Sequence, residues 1–516
     1  MKTTDFLNKR ATGLFCLLFS FIFLVVWLNN AIFRYSPGVQ GAVMLIFAAA
    51  VAASLTVYTH FRDFFISKRY FILAMTVIFF FLVQLTIGLN TIANPMYDHG
   101  KVFYAAVNWA TGNTGREFAV YDEYLHHYPQ QMGQFLVLRS VFKLCLFFGI
   151  DNFYVAACVV GHILFAVMIV CAFLYLERVC SSDCALFMLI LRAMFLPMYF
   201  QSSVSYTDTY SVWSIPCTLL LADLAVKSDR IRVKIMYSLL RGGLLAVGVR
   251  IKVTVVIVAI ALVIQYRLNA AKKQNLIRLA RAVIAFVLVS AVFDKRSYAT
   301  VLQHECDGEG MPVTHWIMMG LQGDGSYNWI DEWYITCAAA PDARVEKNIQ
   351  VIKERLNEMG PGGYRQLLYR KTCRTFGSGT GEMYYNYQYQ DNSPVTGWVY
   401  EIVFQQGKYF SLFNNLSQGM YLFMMFLSVA GAAIVLKQNN PLSACFAQYL
   451  SLVGFWMFMM LWESNHRQLI NQWSLFFICG RTGLYLIWQA VCKKINSRQH
   501  REQEEQKVRQ GVGAAL

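Results

Sequence analysis

Asp98 stands in a polar run, Asn90-Thr-Ile-Ala-Asn-Pro-Met-Tyr-Asp-His-Gly100, that follows directly on the apolar stretch Phe71–Leu89. A carboxylate placed there can take a proton from a hydroxyl group. Three further polar clusters also adjoin apolar stretches: Ser205-Tyr206-Thr207-Asp208-Thr209-Tyr210-Ser211, Arg250-Ile251-Lys252, and Glu463-Ser464-Asn465-His466-Arg467. Arg250, Lys252 and Arg467 suit a phosphate, because ammonium and guanidinium groups neutralise it and a guanidinium can grip two oxygens. Glu463 and Arg467 are four residues apart, so in a helix they share a face and can pair. Tyr128 and Gln130, in Tyr128-Pro129-Gln130-Gln131-Met132-Gly133, and Asp208 extend the polar set. His99, His315 and His466 are candidate contacts to a second substrate or a metal. Each residue also has an ordinary reading. Asp98 can be a solvated loop aspartate, the cations can snorkel to headgroups, and a lone histidine is more often structural.

The elements that must position these residues are membrane helices. The chain has 516 residues, 57% of them hydrophobic and only 15% charged, with a mean hydropathy of +0.40. A soluble protein carries about a quarter charged residues. Apolar runs of membrane-spanning length recur at 11–30, 39–58, 70–89, 153–176, 184–201, 206–226, 236–250, 253–267, 282–299, 417–436, 444–462 and 468–491. About twelve spans follow, since only self-satisfied helices or closed barrels cross the lipid core. Lys and Arg gather in alternate loops, among them Arg62, Lys68, Arg69, Arg178, Lys227, Arg230, Arg232 and Lys234, and again in the tail after 492. The positive-inside bias then places both termini in the cytoplasm, provided that 131–149 is an amphipathic helix in the outer interface. The net charge of +15 is thereby topology and anionic-lipid contact rather than nucleic-acid binding. The first apolar stretch lacks a small-residue cleavage pattern and reads as a signal anchor.

This topology divides the chain into a two-span extension (1–69), a transmembrane core (70–299) with an outer loop at 90–152, an extracytoplasmic segment (300–416), C-terminal spans (417–492) and a cytoplasmic tail (493–516). Within the outer segment, the spacing of Val, Ile and Leu predicts a helix over 345–359. The segment is rich in aromatics, including Trp316, Trp329, Trp333, Tyr364, Tyr369, Tyr384, Tyr385, Tyr387 and Tyr389. These can stack on sugar rings or form an interfacial belt and a small core. Cys306, Cys337 and Cys373 allow one disulfide on an oxidising face, or three thiols, and the sequence does not choose among the pairs.

The order of these elements resembles the GT-C class of polytopic glycosyltransferases: a span, an outer loop with Pro95…Asp98, Tyr-Pro-Gln-Gln-x-Gly, an Asp-Thr-Tyr-Ser turn, a basic hairpin and a late Glu-x-x-x-Arg. The likeness is to glycosyltransferase family 39-like members near the protein O-mannosyltransferases and aminoarabinose transferases, and to uncharacterised Gram-positive members. The latter share segments like Thr314-His315-Trp316-Ile317-Met318-Met319-Gly320-Leu321 and Phe376-Gly377-x-Gly379-Thr380. The resemblance covers most of the chain after about residue 70. It implies an all-α polytopic membrane protein, a GT-C-like bundle of about twelve spans with outer-face interfacial helices and a mixed outer segment. It also implies a plasma-membrane enzyme that moves a sugar from a polyprenyl-phosphate donor to a glycan, lipid or protein acceptor on the extracytoplasmic face. Asp98 would be the base, Arg250, Lys252 and Arg467 would hold the donor phosphate, and Glu463, Tyr128, Gln130, Asp208, His315 and His466 would support them. No cofactor is firm. A divalent metal on Asp98 is compatible with the resemblance, but no ligand cluster calls for one. Two departures stand out: a single aspartate where relatives have Asp-Glu, and Gln-Leu after Arg467 where relatives have tyrosine. A polysaccharide polymerase or ligase, and a non-enzymatic flippase of lipid-linked sugars, remain as alternatives.

Overall fold

The computed structural model describes the chain except for residues 1, 35–36, 92–94, 114–118, 269–271, 302–309, 384–396, 438–445 and 514–516. Cys306 and Tyr384, Tyr385, Tyr387 and Tyr389 lie outside the described residues. Cys337 and Cys373 are not joined to each other.

Long apolar helices with no strand among the described residues make up the fold. In chain order the helices of the bundle and first loop are α1 (Lys2–Asn29), α2 (Pro37–His60), α3 (Arg69–Leu89), α4 (Tyr97–Thr111), α5 (Met132–Phe147), α6 (Phe153–Val179), α7 (Ser182–Met194), α8 (Ser214–Lys227), α9 (Ile231–Ile251), α10 (Val256–Leu268) and α11 (Lys272–Tyr298). After them come α12 (Arg344–Phe376), α13 (Phe410–Lys437), α14 (Phe446–Leu461) and α15 (Trp473–Gly513). Among the described residues, eight helical stretches are long and apolar enough to cross a membrane, and Val253–Arg267 and Phe446–Leu461 are shorter apolar helices. Two further expected spans depart from a simple apolar rod. The stretch 184–201 breaks after Met194 and resumes with Pro197 at the start of a short turn, where a missing N–H costs nothing. Helix α9 is long enough but carries Arg232, Lys234, Arg241 and Arg250.

The pair 1–69, expected as an extension, is built into the bundle. Helix α1 packs along α13, with Trp27 Nε1 donating to the Leu422 carbonyl at 3.0 Å and Asn30 donating to the Phe376 carbonyl at 2.8 Å. Phe19 and Phe23 are fully buried against Tyr449, Phe376 and Phe476. The expected helix at 345–359 is the first part of α12, which continues past a kink at Gly360 (φ 58°) and Pro361 to Phe376.

At one end of the bundle the basic loops pair with acids. Arg62 holds Asp183 at 2.8 Å, Arg69 pairs with Glu177, and Asp223 takes both Arg178 and Lys227 at 2.9 Å. Helix α3 starts at Arg69, and its 21 residues carry the chain about 30 Å to the opposite end, where Asp98 and the other polar clusters meet. The expected interfacial stretch 131–149 contains α5, which is 16 residues long. It ends in exposed Leu144, Phe147 and Phe148.

Without a water-driven force between helices, close backbone approach must hold them together. In α9 a Cβ on Gly242 would lie 2.0 Å from the Ala282 carbonyl of α11, whereas one on Gly243 would meet only a Val289 methyl at 3.5 Å. Gly242→Ala is therefore expected to destabilise the protein by about 1–3 kcal/mol through overpacking, read as a lowered unfolding midpoint in detergent. Gly243→Ala should leave that midpoint unchanged. Equal midpoints for the two variants would contradict the α9–α11 packing.

Candidate functional site

Asp98 occupies the first turn of α4. Its neighbour Tyr97 has φ 51°, a left-handed conformation that L side chains adopt at a cost. The turn is also cramped, since a Cβ on Gly100 would lie 2.2 Å from the Pro95 carbonyl. Together these features aim the Asp98 carboxylate across the end of the bundle at Arg467, whose Nη2 stands 3.4 Å away. That distance is long for a charge-assisted bond. Asp98 remains 45% exposed and Arg467 25%, so the pair is open to a ligand.

Arg467 enters from a short 3-10 turn, His466–Gln472, capped by the Asn465 side chain accepting from the Arg467 N–H at 3.1 Å. Its guanidinium lies over the Tyr206 ring, 4.9 Å from the centroid, a cation–π contact that fixes the plane of the fork. Tyr206 is held in turn by Gln131 Nε2, which donates to its hydroxyl at 2.7 Å. His99 lies 2.7 Å from Ser205 Oγ, and burial followed by the Arg467 charge lowers its pKa to about 3. Tyr124 closes the side of Asp98. Burial and the Asp98 carboxylate push its phenol well above the ordinary range.

Lys252 forms the second cationic position. Its ammonium pairs with Asp208 at 2.7 Å, both side chains being largely buried. Burial lowers the Lys252 pKa, and Asp208 opposes that shift. The Tyr-Pro-Gln-Gln-x-Gly motif sets this geometry. A Cβ on Gly133 would lie 1.9 Å from the Arg250 carbonyl, so only glycine lets α5 dock against the end of α9.

Glu463 lies in non-helical residues between α14 and the Arg467 turn rather than on a shared helix with Arg467. The expected four-residue pairing on one helix face is thus replaced by a wider charge cluster. Burial raises the Glu463 pKa to about 7, opposed first by Arg467, reinforced by Asp98, and opposed again by Lys252 and Arg374.

Other expected residues fall elsewhere. Arg250 is not brought to the cluster: its guanidinium pairs with Asp294 at 2.6 Å, both groups exposed, because it precedes the α9 end while Lys252 follows it. Gln130 is exposed, and its neighbour Gln131 turns inward instead. His315 is buried beside Thr336 Oγ1 at 2.8 Å, in a network through Thr336, Asn348 and Thr314 that ties together the segment between α11 and α12. Tyr128 donates to Glu332, as does Tyr327. His466 Nε2 lies 3.0 Å from Glu382.

Several residues were not singled out from the sequence. Glu382 also faces Arg374 at 3.8 Å, and with Tyr97 it is one of the two described non-glycine residues at positive φ. Both strained positions thus border the same cluster. Lys371 is buried, with its Nζ donating to the Gly320 carbonyl at 2.9 Å and the Trp462 carbonyl at 2.7 Å. The stacked rings of Trp316 and Trp462, 5.3 Å apart, fasten the same corner. The only signal for Lys371 and Glu382 in the sequence was proximity to the Phe376–Thr380 motif.

For a divalent metal the donor set does not fit. Among the described residues no three His, Cys, Asp or Glu side chains are grouped to hold one, and Asp98 faces a guanidinium.

Among solved structures, the fold is similar to the archaeal oligosaccharyltransferase AglB from Archaeoglobus fulgidus in complex with an inhibitory peptide and a dolichol-phosphate. That match has 12% identity and a TM-score of 0.43, covering 84% of this chain and 52% of that one. ArnT from Cupriavidus metallidurans bound to undecaprenyl phosphate is similar at 12% identity and a TM-score of 0.36, covering 81% of this chain and 78% of that one. The chain thus spans about half the length of the oligosaccharyltransferase, and likeness at these scores carries no functional argument. No curated protein matches the sequence. The family model described as conserved hypothetical integral membrane protein matches residues 3–482, and the chain belongs to that family.

Proposed function

We propose that the protein is a membrane glycosyltransferase that moves a sugar from a polyprenyl-phosphate donor to an acceptor hydroxyl on the extracytoplasmic face, in the manner of the GT-C class. The observation that carries this reading is the open Asp98–Arg467 pair, with its 3.4 Å separation and partial exposure, beside the buried Lys252–Asp208 pair. A carboxylate and two cations at one end of a lipid-embedded bundle match the needs of such a transfer. Charges at that depth are costly and mark function more often than stability.

In this mechanism the acceptor hydroxyl loses its proton to an Asp98 carboxylate oxygen as its own oxygen bonds to the anomeric carbon. The bond from that carbon to the phosphate oxygen breaks, and the electron pair leaves with the polyprenyl phosphate. Arg467 and Lys252 neutralise the charge that builds on the departing oxygens. Tyr206 keeps the Arg467 fork in plane, and Asp208 keeps Lys252 in place. The acceptor is a cell-envelope glycan, lipid or protein.

Three measurements test this. Asp98→Asn keeps the shape of the side chain and removes the proton acceptor. Sugar transfer from a panel of polyprenyl-phosphate sugars should fall by about 10²–10⁴-fold, with the protein folded and donor binding largely kept. Asp122→Asn should be tolerated, since Asp122 accepts from Trp109 Nε1 at 2.9 Å and the amide oxygen can still do so. Transfer at the wild-type rate by the Asp98 variant would remove Asp98 as base.

Arg467→Ala should weaken donor binding by about 2–5 kcal/mol, the range for truncating one partner of a charge pair in a shielded site. Lys143→Ala, on the exposed side of α5, should leave binding near wild type. Equal affinities for the two variants would take Arg467 out of the phosphate site.

Sidedness is tested by labelling intact cells with an impermeant thiol reagent. A cysteine placed at exposed Glu123, on the Asp98 end, should react, whereas one at exposed Asp229, on the basic end, should not. The reverse pattern would put the site in the cytoplasm and exclude an extracytoplasmic reaction.

A further inference from the structure

We propose that Cys180, at the opposite end of the bundle from Asp98, is a site of reversible oxidation by peroxides, with Cys184 as the thiol that resolves it and Arg481 as the cation that keeps it reactive. The inference is independent of the polyprenyl-phosphate reading.

The run Cys180-Ser181-Ser182-Asp183-Cys184 turns the chain from α6 into α7. Cys180 closes α6, its N–H donating to the Leu176 carbonyl at 2.9 Å, and it is exposed. Ser181 caps α7, its hydroxyl accepting from the Cys184 N–H at 3.3 Å. That cap winds Cys184 back toward Cys180, and the two thiols are in side-chain hydrogen-bond contact. From α15, 301 positions along the chain, Arg481 Nη2 donates to Cys180 Sγ at 3.0 Å. Arg481 is 2% exposed and Cys184 is fully buried. One sulfur therefore meets solvent, a guanidinium and a second thiol at once.

A guanidinium favours the thiolate of a cysteine that it touches, and the thiolate is the nucleophile. The helix ends do not decide the charge. Cys180 follows the negative end of α6 and precedes the positive end of α7, so the two fields oppose each other. The other charged groups at the turn are engaged elsewhere. Asp183 accepts from Tyr58 at 2.6 Å and from Arg62 at 2.8 and 3.0 Å. Arg178 pairs with Asp223 at 2.9 Å, and Glu177 accepts from Arg69 and Tyr70. Two rival thiol positions are less open. Cys479 lies within reach of the Arg481 charge but is fully buried. Cys171 and Cys217 bring their sulfurs to 3.1 Å, but inside α6 and α8 rather than at the exposed turn.

The chemistry balances with hydrogen peroxide as the oxidant. The Cys180 thiolate attacks one peroxide oxygen and the O–O bond breaks. The departing hydroxide takes a proton and leaves as water, so the peroxide is reduced and the sulfur becomes a sulfenic acid. The Cys184 thiol then gives up its proton as its sulfur attacks the sulfenic sulfur. The S–O bond breaks, a second water leaves, and a Cys180–Cys184 disulfide remains. With the sidedness proposed above, this turn faces the cytoplasm, where thiol reductants restore both groups. The bridge would lock the turn that carries Asp183, and with it the tie to Tyr58 and Arg62.

The test uses the reduced full-length protein in detergent, limiting hydrogen peroxide, and dimedone to trap sulfenic acid. Peptide mass mapping then follows the oxidation state of all 13 cysteines. In wild type the first product should be a Cys180–Cys184 disulfide, reversed by dithiothreitol and formed about tenfold faster than oxidation at any other cysteine. Cys184→Ser should stop at a dimedone adduct on Cys180. Arg481→Gln should slow oxidation of Cys180 by about tenfold. Oxidation of Cys180 no faster than that of half-buried Cys145, Cys337 or Cys492 would overturn the proposal. So would a first disulfide between Cys171 and Cys217, or an unchanged rate in the folded Arg481 variant. If that variant does not fold, the order of oxidation in wild type decides.

Discussion

The contact between Arg467 and Asp98 organises one end of this molecule. A guanidinium held among helix ends must find compensation locally, because the lipid-embedded bundle offers little water to screen it. The protein meets that demand with a ring of weak contacts rather than one saturated pair: a long Asp98 contact, the Tyr206 face and the field of Glu463 and Asp208. A fully satisfied arginine would be a structural strut. This one keeps its fork accessible.

The rest of the polar end is built outward from that contact. Gln131 holds Tyr206, and the glycine two residues later lets the same loop dock onto the segment that presents Lys252. On the other flank, Lys371 ties α12 to the Trp462 carbonyl, next to Glu463. A chain of ion pairs runs from Asp324 through Arg374 and Glu382 to His466, beside Arg467. Elements separated by hundreds of residues therefore converge on one side chain. The two strained residues, Tyr97 and Glu382, sit where the backbone must yield to bring them together, and such strain persists only where surrounding structure over-determines it.

The opposite end follows a different rule. There Arg62, Arg69, Arg178 and Lys227 are matched one for one or shared by Asp183, Glu177 and Asp223. These pairs close the helix ends and leave no comparable open cation–carboxylate contact among the described residues. The contrast between a matched end and a loosely paired end is the physical basis for the proposal that places chemistry at the latter.

What the sequence by itself determined is the class and the coarse plan. Apolar runs of spanning length can only be membrane helices, so each expected span contains a helix, and alternate loops rich in Lys and Arg separate the two ends. Asp98, Lys252, Glu463 and Arg467 were legible because charge next to an apolar run is rare enough to stand out. Only the tertiary structure decided which of them meet. At a helix end, the direction of a side chain is set by where the helix stops. For that reason Lys252 turns to Asp208 while Arg250 leaves for Asp294, and Gln131 rather than Gln130 reaches Tyr206. Glu463 and Arg467 act on each other without the helix their spacing suggested, because residues 463–465 are not helical. Tyr206 and Lys371 owe their places to partners far along the chain, 75 positions away for the Gln131–Tyr206 bond and 91 for the Lys371–Trp462 bond. Periodicity reports local geometry, and it carries no information about partners that distant.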